Sequence, residues 1–247
     1  LMSMVLREEL SEGIVAITLN RPESLNALSP ALFSELNQIV TELSKQTDSV
    51  GCVILRGAGR CFSAGNDLKA VRSGVKAKEK FFQAKTIDLI EKLPQPTIAS
   101  VHGHCLTGAL ELALACDLMI TSESANLADT HGKWGMVPGW GMSVRLPRRV
   151  GLLKAKEMMF TGMSINALQA IEIGLSSQCV ADDHLKVSTL ELAESIVKNS
   201  WHTNFADKKL FLDNENHFHD ASLKMEREQS ASVASDMHER VKQGFKS

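Results

Sequence analysis

Residues 97–124 read TIASVHGHCLTGALELALACDLMITSES, and this stretch sets the fold class. Thr97 to Val101 is short, apolar and rich in β-branched residues, with a glycine two positions on. That is the pattern of a buried strand. Gly108 to Cys116 is apolar at nearly every position and rich in Ala and Leu, which favours a helix. DLMITSES returns to strand character. A strand, a helix and a second strand in so short a space imply α/β architecture with parallel pairing.

The pattern continues on both sides. SEGIVAITLN (11–20) alternates as a strand, and the preceding MVLREEL is expected to pair with it as a hairpin arm. Ser29-Pro30 opens a helix, with Ser as N-cap and Pro at the first helical position. Its apolar residues Leu32, Leu36, Ile39, Val40 and Leu43 recur at helical spacing. GCVILRG (51–57) is a buried strand that runs into the loop GRCFSAGND. A further helix is expected from about Lys78 to Lys92, closed by Pro94 and Pro96. GLLKAKEMMF, INALQAIEIG and HLKVSTLELAESIVKN have helical period, SSQCVAD reads as a short strand, and helix alone follows from about Asn204.

The 247 residues suit one large domain or a domain with an appendage. With 44% hydrophobic residues the chain can bury a substantial core. A formal net charge of −2 points away from nucleic acid and membrane surfaces. No apolar run is long enough to span a membrane. The start, LMSMVLREEL, lacks a secretory signal, so the cytoplasm is the expected setting, or the mitochondrial matrix if a targeting segment has been removed. Five cysteines, an odd number with no CxxC pair, read as free and mostly buried thiols. None stands in a nucleophile motif.

Two strand ends run into small, glycine-containing segments, CFSAGND and HCLTGALE. Each releases backbone N–H groups from regular pairing, and Gly108 also opens a helix. Either loop alone is an ordinary strand-to-helix turn. Together they could aim two N–H groups at one oxygen. Glu111 lies three positions after Gly108 on the same helical face, among Leu110, Leu112, Ala113 and Leu114. Burial there would raise its pKa into a general-base range. A solvated glutamate is the plainer alternative, but this helix is apolar nearly all round. His131 follows Asp129 and Thr130, which could orient its ring. A structural histidine packed against Trp134 or Trp140 carries nearly equal weight. No HxxxH or HxxE spacing marks a metal site. His217 and His219, in a charged stretch, read as solvated surface.

The ordered set NRPESLNALS, CFSAGNDL, VHGHCLTGALELALACD, GMVPGWGMSVRLPRRVG and INALQAIEIGLSSQCV resembles the crotonase superfamily of enoyl-CoA hydratases and isomerases. The match runs from about residue 10 to 200. The resemblance implies a spiral of strand–strand–helix units over residues 1–200. It also implies a helical region over 201–247 that serves oligomerisation or covers the substrate pocket. It implies homotrimers or hexamers and an acyl-CoA thioester substrate, with coenzyme A as part of the substrate and no separate cofactor or metal. By the family's pattern the backbone N–H groups of Asn66 and Gly108 form an oxyanion hole. Ala27, Ala64, Asp67, Leu68 and Pro138 fall where the family lines its CoA and substrate crevice. Of the family's triple-glycine segment this chain keeps only Gly108, flanked by Thr107 and Ala109.

Hydratases of this superfamily use two glutamates. Glu111 matches the first, and His131 stands at the second, twenty positions on (131 − 111). Histidine can donate or accept a proton near neutral pH, so an acid–base pair is kept. If neutral imidazole is the working form, an acidic limb near pH 6–7 is expected, around histidine's ordinary pKa of about 6.5. A hydratase-type lyase with Glu111 and His131 as the pair is the leading reading. Decarboxylation or isomerisation through the same oxyanion hole is the second. RNA binding through RSGVKAKEKFFQAK, with Arg72, Lys76, Lys78, Lys80 and Lys85, is the weakest, since the chain is slightly acidic.

Overall fold

The structure is a computed structural model that describes residues 3–74 and 79–214. Strands β1 (Val5–Ser11) and β2 (Gly13–Leu19) form the expected antiparallel hairpin, turning at Gly13 with φ 76°. Helix α1 (Pro30–Leu43) is capped by the Ser29 side chain, which accepts from Leu32 N–H. It is followed by β3 (Val50–Gly57), the short α2 (Leu68–Arg72) and α3 (Phe82–Glu91). Next come β4 (Thr97–Val101), β5 (His104–Leu106), α4 (Gly108–Leu114), β6 (Leu118–Ser122) and β7 (Asn126–Ala128). The chain continues through α5 (Met142–Val150), α6 (Leu152–Thr161), β8 (Ser164–Asn166), α7 (Ala167–Glu172) and β9 (Gln178–Val180). Helices α8 (Leu185–Val197) and α9 (Trp201–Asn214) close the described part.

The larger sheet has the order β1-β2-β3-β4-β6-β9, and β5-β7-β8 form a second, smaller sheet. From β2 to β9 the larger sheet is parallel throughout. Successive units give one strand to each sheet, as β4 with β5 and β6 with β7 do, so the chain advances as an α/β spiral. Both faces of the large sheet are covered. Val15, Ile17 and Leu19 face the main core with Leu32, Leu36 and Leu110, while Ile14, Ala16, Ile54 and Ile120 pack under α8 with Leu185 and Ala193. This two-sided burial explains why the strands read as continuous apolar runs. Each buried Val, Leu or Ile side chain among them contributes roughly 1.5–3 kcal/mol by leaving water.

Three differences from the sequence reading stand out. Strands β5, β7 and β8 have three residues each, too short for any periodicity to show; Ile165 and Asn166, expected in the helix INALQAIEIG, belong to β8, and that helix begins at Ala167. The helix expected from about Lys78 begins at Phe82, because Phe81 takes left-handed geometry at φ 62°; Lys78 itself lies outside the described residues. Helix α5 was also unread, since Pro147 sits inside it. The region assigned to 201–247 begins against the core. The Trp201 ring packs on Gly13 and Gly51, where an added Cβ would come within 2.4 Å of it. Lys208, on the same helix, is buried between Gln95 O (3.0 Å) and Asp117 (2.7 Å). Residues 215–247, including His217 and His219, lie outside the described residues.

Candidate active site

The segment after β3 runs alongside β5. Ser63 N–H donates to His104 O (2.9 Å), and Leu106 N–H donates to Ser63 O (3.3 Å). Farther on, Leu28 N–H donates to Gly65 O (2.8 Å) and Asp67 N–H to Leu28 O (3.2 Å). In such a parallel bridge the residues flanking Asn66 make the bonds, so Asn66's own N–H faces away from Leu28. Gly108 is the first residue of α4, where an amide has no intrahelical acceptor. The two amides are neighbours. A Cβ built on Gly108 would lie 3.5 Å from Asn66 N, and one built on Gly65 would lie 3.5 Å from Gly108 N. Neither N–H has an acceptor among the described residues.

A buried clamp holds the first of these loops. Asn26, at φ 53°, accepts from Arg21 N–H (2.8 Å) and donates to Ala58 O (2.8 Å) and Cys61 O (2.9 Å). Ser63 Oγ donates to Asn26 O (2.8 Å) and accepts from Gly65 N–H (3.1 Å). The sequence reading did not single out Asn26. Its one signal was an Asn in a turn, where left-handed geometry is tolerated.

Glu111 is buried at 1% exposure. Its Oε1 accepts from Trp140 N–H (2.9 Å) and Met142 N–H (3.0 Å). Oε2 is buried and has no hydrogen-bond partner among the described residues. It points at His131, whose Nε2 is 3.7 Å away. Burial raises the Glu111 carboxyl above the ordinary carboxylate range, and the two amides and the imidazole only partly offset it.

His131, 9% exposed, has its Nδ1 2.6 Å from Asp129 Oδ1, and the same oxygen accepts from His131 N–H (3.1 Å). Burial by itself would lower the histidine, but the Asp129 hydrogen bond and charge, with Glu111 behind them, hold it above its ordinary value. A carboxylate at Nδ1 takes the Nδ1–H, which leaves Nε2 as the nitrogen facing Glu111. The alternative anchoring through tryptophan has less to rest on. The Trp140 ring packs edge-on against Phe33 at 5.1 Å between centroids, and Trp134 is 60% exposed.

Arg145 braces the turn that serves Glu111. It donates to Trp140 O (2.8 Å), to Glu91 Oε1 (2.7 Å) and Oε2 (2.6 Å), and to Asp88 (2.7 Å). A Cβ at Gly141 would meet its guanidinium at 2.1 Å, so only glycine admits it. This support is invisible in the sequence, because its carboxylate partners lie 54 and 57 positions away.

A cavity of about 290 Å³ lies beside the two amides, lined in part by Ala64, Asn66, Leu68, Thr107, Thr130 and Trp134. Ala27, Asp67 and Pro138 do not line it. Ala27 O accepts from Arg21 (2.6 Å), and Asp67 is bonded to Arg21 (2.9 Å) and caps α2 through Lys69 and Ala70 N–H, both at 3.1 Å. Burial would raise Asp67, yet these donors hold it below the ordinary range. Its carboxylate is thus taken up within the loop. Pro138 is half-buried. A larger cavity, about 770 Å³, lies apart from these residues among α3, α5 and α9.

Cys52, Cys61, Cys105 and Cys116 are buried free thiols, and burial pushes Cys52 and Cys116 up to about 12. In the basic segment Lys85 pairs with Glu79 (3.1 Å) and Lys80 lies over the Phe81 ring at 4.8 Å; Lys76 lies outside the described residues.

Residues 9–247 match the family described as enoyl-CoA hydratase/isomerase. The chain is 37% identical over 189 residues to the protein of Arabidopsis thaliana named probable enoyl-CoA hydratase 1, peroxisomal; this spans 76% of the chain and 71% of that protein. It is 36% identical to the short-chain-enoyl-CoA hydratase of Clostridium acetobutylicum, over 76% of the chain and 74% of the relative. Among solved structures, an enoyl-CoA hydratase from Bacillus anthracis superposes with a TM-score of 0.91 at 35% identity, covering 98% of this chain and 96% of that one.

Proposed function

This chain belongs to the enoyl-CoA hydratase/isomerase family and is an enzyme of that family; from that premise we propose that it adds water across the double bond of an enoyl-CoA thioester, with Glu111 and His131 as the acid–base pair. The observation that carries this reading is the unpartnered Oε2 of Glu111, buried and aimed at His131 Nε2 across 3.7 Å. A water molecule can lie beside that gap within hydrogen-bond reach of both atoms.

In the proposed reaction the thioester oxygen takes the free N–H groups of Asn66 and Gly108. Two fixed donors where negative charge develops lower the barrier by several kcal/mol, at ~10²–10³ in rate for one donor in known cases. Ionised Glu111 removes a proton from the bound water as its oxygen bonds to the β-carbon. The thioester becomes an enolate, and protonated His131 gives its Nε2 proton to the α-carbon. Glu111 then returns the water's proton to His131, which restores the starting state. Asp129 favours the charged imidazole that this sequence needs.

Ala27, Ala64, Asp67, Leu68 and Pro138 are proposed to form the crevice for the CoA portion, Asp67 by shaping its loop. The exposed Leu152, Leu153 and Phe160 on α6 support a homotrimer or hexamer, which light scattering after gel filtration tests. No helix among the described residues is long and apolar enough to cross a membrane. A cytoplasmic or matrix setting is kept as the proposal, to be tested by fractionation.

The test of the reaction is a substrate panel read by mass: crotonyl-CoA, longer 2-enoyl-CoAs, 3-enoyl-CoAs and malonyl-type CoAs. Hydration adds one water to the 2-enoyl substrates. Turnover confined to the 3-enoyl or malonyl-type members would replace hydration by isomerisation or decarboxylation.

A further inference from the structure

Thr107 precedes Gly108 and holds φ 55° with ψ −109°. A β-branched residue enters that region only under strain. Glycine would occupy the same backbone without that cost. The side chain therefore has something to offset, and its hydroxyl is where the contacts are. Thr130 N–H donates to Thr107 Oγ1 at 3.1 Å, and the two threonine hydroxyls are hydrogen-bonded to each other.

Counting protons exposes a spare donor. Two hydroxyls carry two protons, and one of these lies between the two oxygens. The other proton has no acceptor among the described residues. Both threonines line the cavity of about 290 Å³, where their neighbours include the apolar Ala64, Leu68, Leu106 and Met136. Lys133, an exposed residue, lines the same cavity and makes no ion pair among the described residues. An O–H donor and the exposed Lys133 thus share the lining of one cavity.

We propose that the Thr107–Thr130 hydroxyl pair, with Lys133, is a subsite for a carboxylate carried at the far end of the acyl group. The preferred substrate is then the CoA monothioester of an unsaturated dicarboxylic acid. This rests on the acyl-CoA reading above and names the acyl class. The hydroxyl supplies one hydrogen bond to a carboxylate oxygen and the ammonium supplies opposite charge. A plain alkyl chain of the same length gains neither.

The test measures binding apart from catalysis. Glutaryl-CoA and pentanoyl-CoA are saturated, unreactive and matched in length, so calorimetry with each gives the preference for a terminal carboxylate. The wild type is expected to bind glutaryl-CoA about tenfold or more tightly than pentanoyl-CoA. Thr130→Val, Thr107→Gly and Lys133→Met should each cut that ratio severalfold, and Thr107→Ser, which keeps the hydroxyl, should restore it. Equal affinity for the two ligands in the wild type would overturn the proposal. So would variants that weaken both ligands and free CoA equally, because the pair would then serve the CoA arm or the scaffold. Turnover of pent-2-enoyl-CoA and of its terminal-carboxylate counterpart glutaconyl-CoA by the wild type is assayed alongside. Absence of water addition to both would count against hydration while leaving the binding ratio to judge the subsite.

Discussion

The unpaired carboxylate oxygen of Glu111 stands 3.7 Å from Nε2 of His131, and the opposite ring nitrogen lies 2.6 Å from Asp129. Three ionisable groups from two chain segments thus form one line, with the imidazole between two carboxylates. A histidine so placed is fixed in tautomer by one neighbour and aimed by the other.

Removing either end of the pair should stop the chemistry and spare the fold. Glu111→Gln and His131→Ala are each expected to lower kcat by roughly 10²-fold or more, a usual range for acid–base groups. Calorimetric affinity for free CoA should not change. His131→Ala with full activity on the true substrate would leave Glu111 and the oxyanion hole as the whole mechanism.

Glu111 should also cost stability at high pH. Its folded-state pKa is raised, mainly by burial, so the folded chain holds this proton more tightly than the unfolded chain. That contribution is full below the unfolded value of about 4.3 and is lost as pH rises through the folded pKa. Glu111→Gln should therefore raise Tm relative to wild type more at pH 8 than at pH 4. Thermal unfolding at the two pH values checks the sign, and an equal difference at both would contradict it.

The rate profile should be a bell. Glu111 must be ionised, and its raised pKa puts the acid limb above the ordinary carboxylate range. His131 must be protonated, and Asp129 and Glu111, outweighing burial, put the basic limb above histidine's ordinary value of about 6.5. This reverses the limb expected for a neutral imidazole. Asp129→Asn removes the nearer carboxylate, so the basic limb should move to lower pH and kcat should fall by about tenfold or more. A basic limb unmoved in that variant would separate it from His131.

Arg145 should act on Glu111 from a distance. Lys cannot hold Trp140 O, Glu91 and Asp88 together, so Arg145→Lys should loosen the turn that donates to Glu111. With weaker amides the carboxyl rises further, and the acid limb should move to higher pH. A stability loss of about 1–3 kcal/mol is expected from the broken hydrogen bonds. A loss of stability with an unshifted acid limb would make Arg145 purely structural.

Gly108→Ala tests the oxyanion corner. The added methyl would sit 2.5 Å from the Trp140 ring, in the same turn that holds Glu111. Expected is a fall of about 10²-fold in kcat, comparable to losing one oxyanion donor. Retained activity would mean that the ring moves without disturbing either amide.

The sequence by itself determined the class of fold and the identity of the acid–base candidates. The apolar runs at 51–57, 97–101 and 118–122 had to be buried on both faces, and only a parallel α/β core buries them so. Glu111 in an apolar helix had to be interior, and it is. Ser29 and Pro30 set the start of α1 through local hydrogen bonding alone. Tertiary structure decided the rest. Strands β5, β7 and β8 exist because neighbours supply their hydrogen bonds, and three residues have no periodicity to read. The turn at Trp140 and Met142, the brace of Arg145 on α3 and the clamp of Asn26 on the next loop bring together residues 29 to 57 positions apart. Which oxygen of Glu111 is tied and which is free follows from that packing. A carboxylate's two oxygens are identical in the sequence and become different only when the folded backbone supplies donors to one of them.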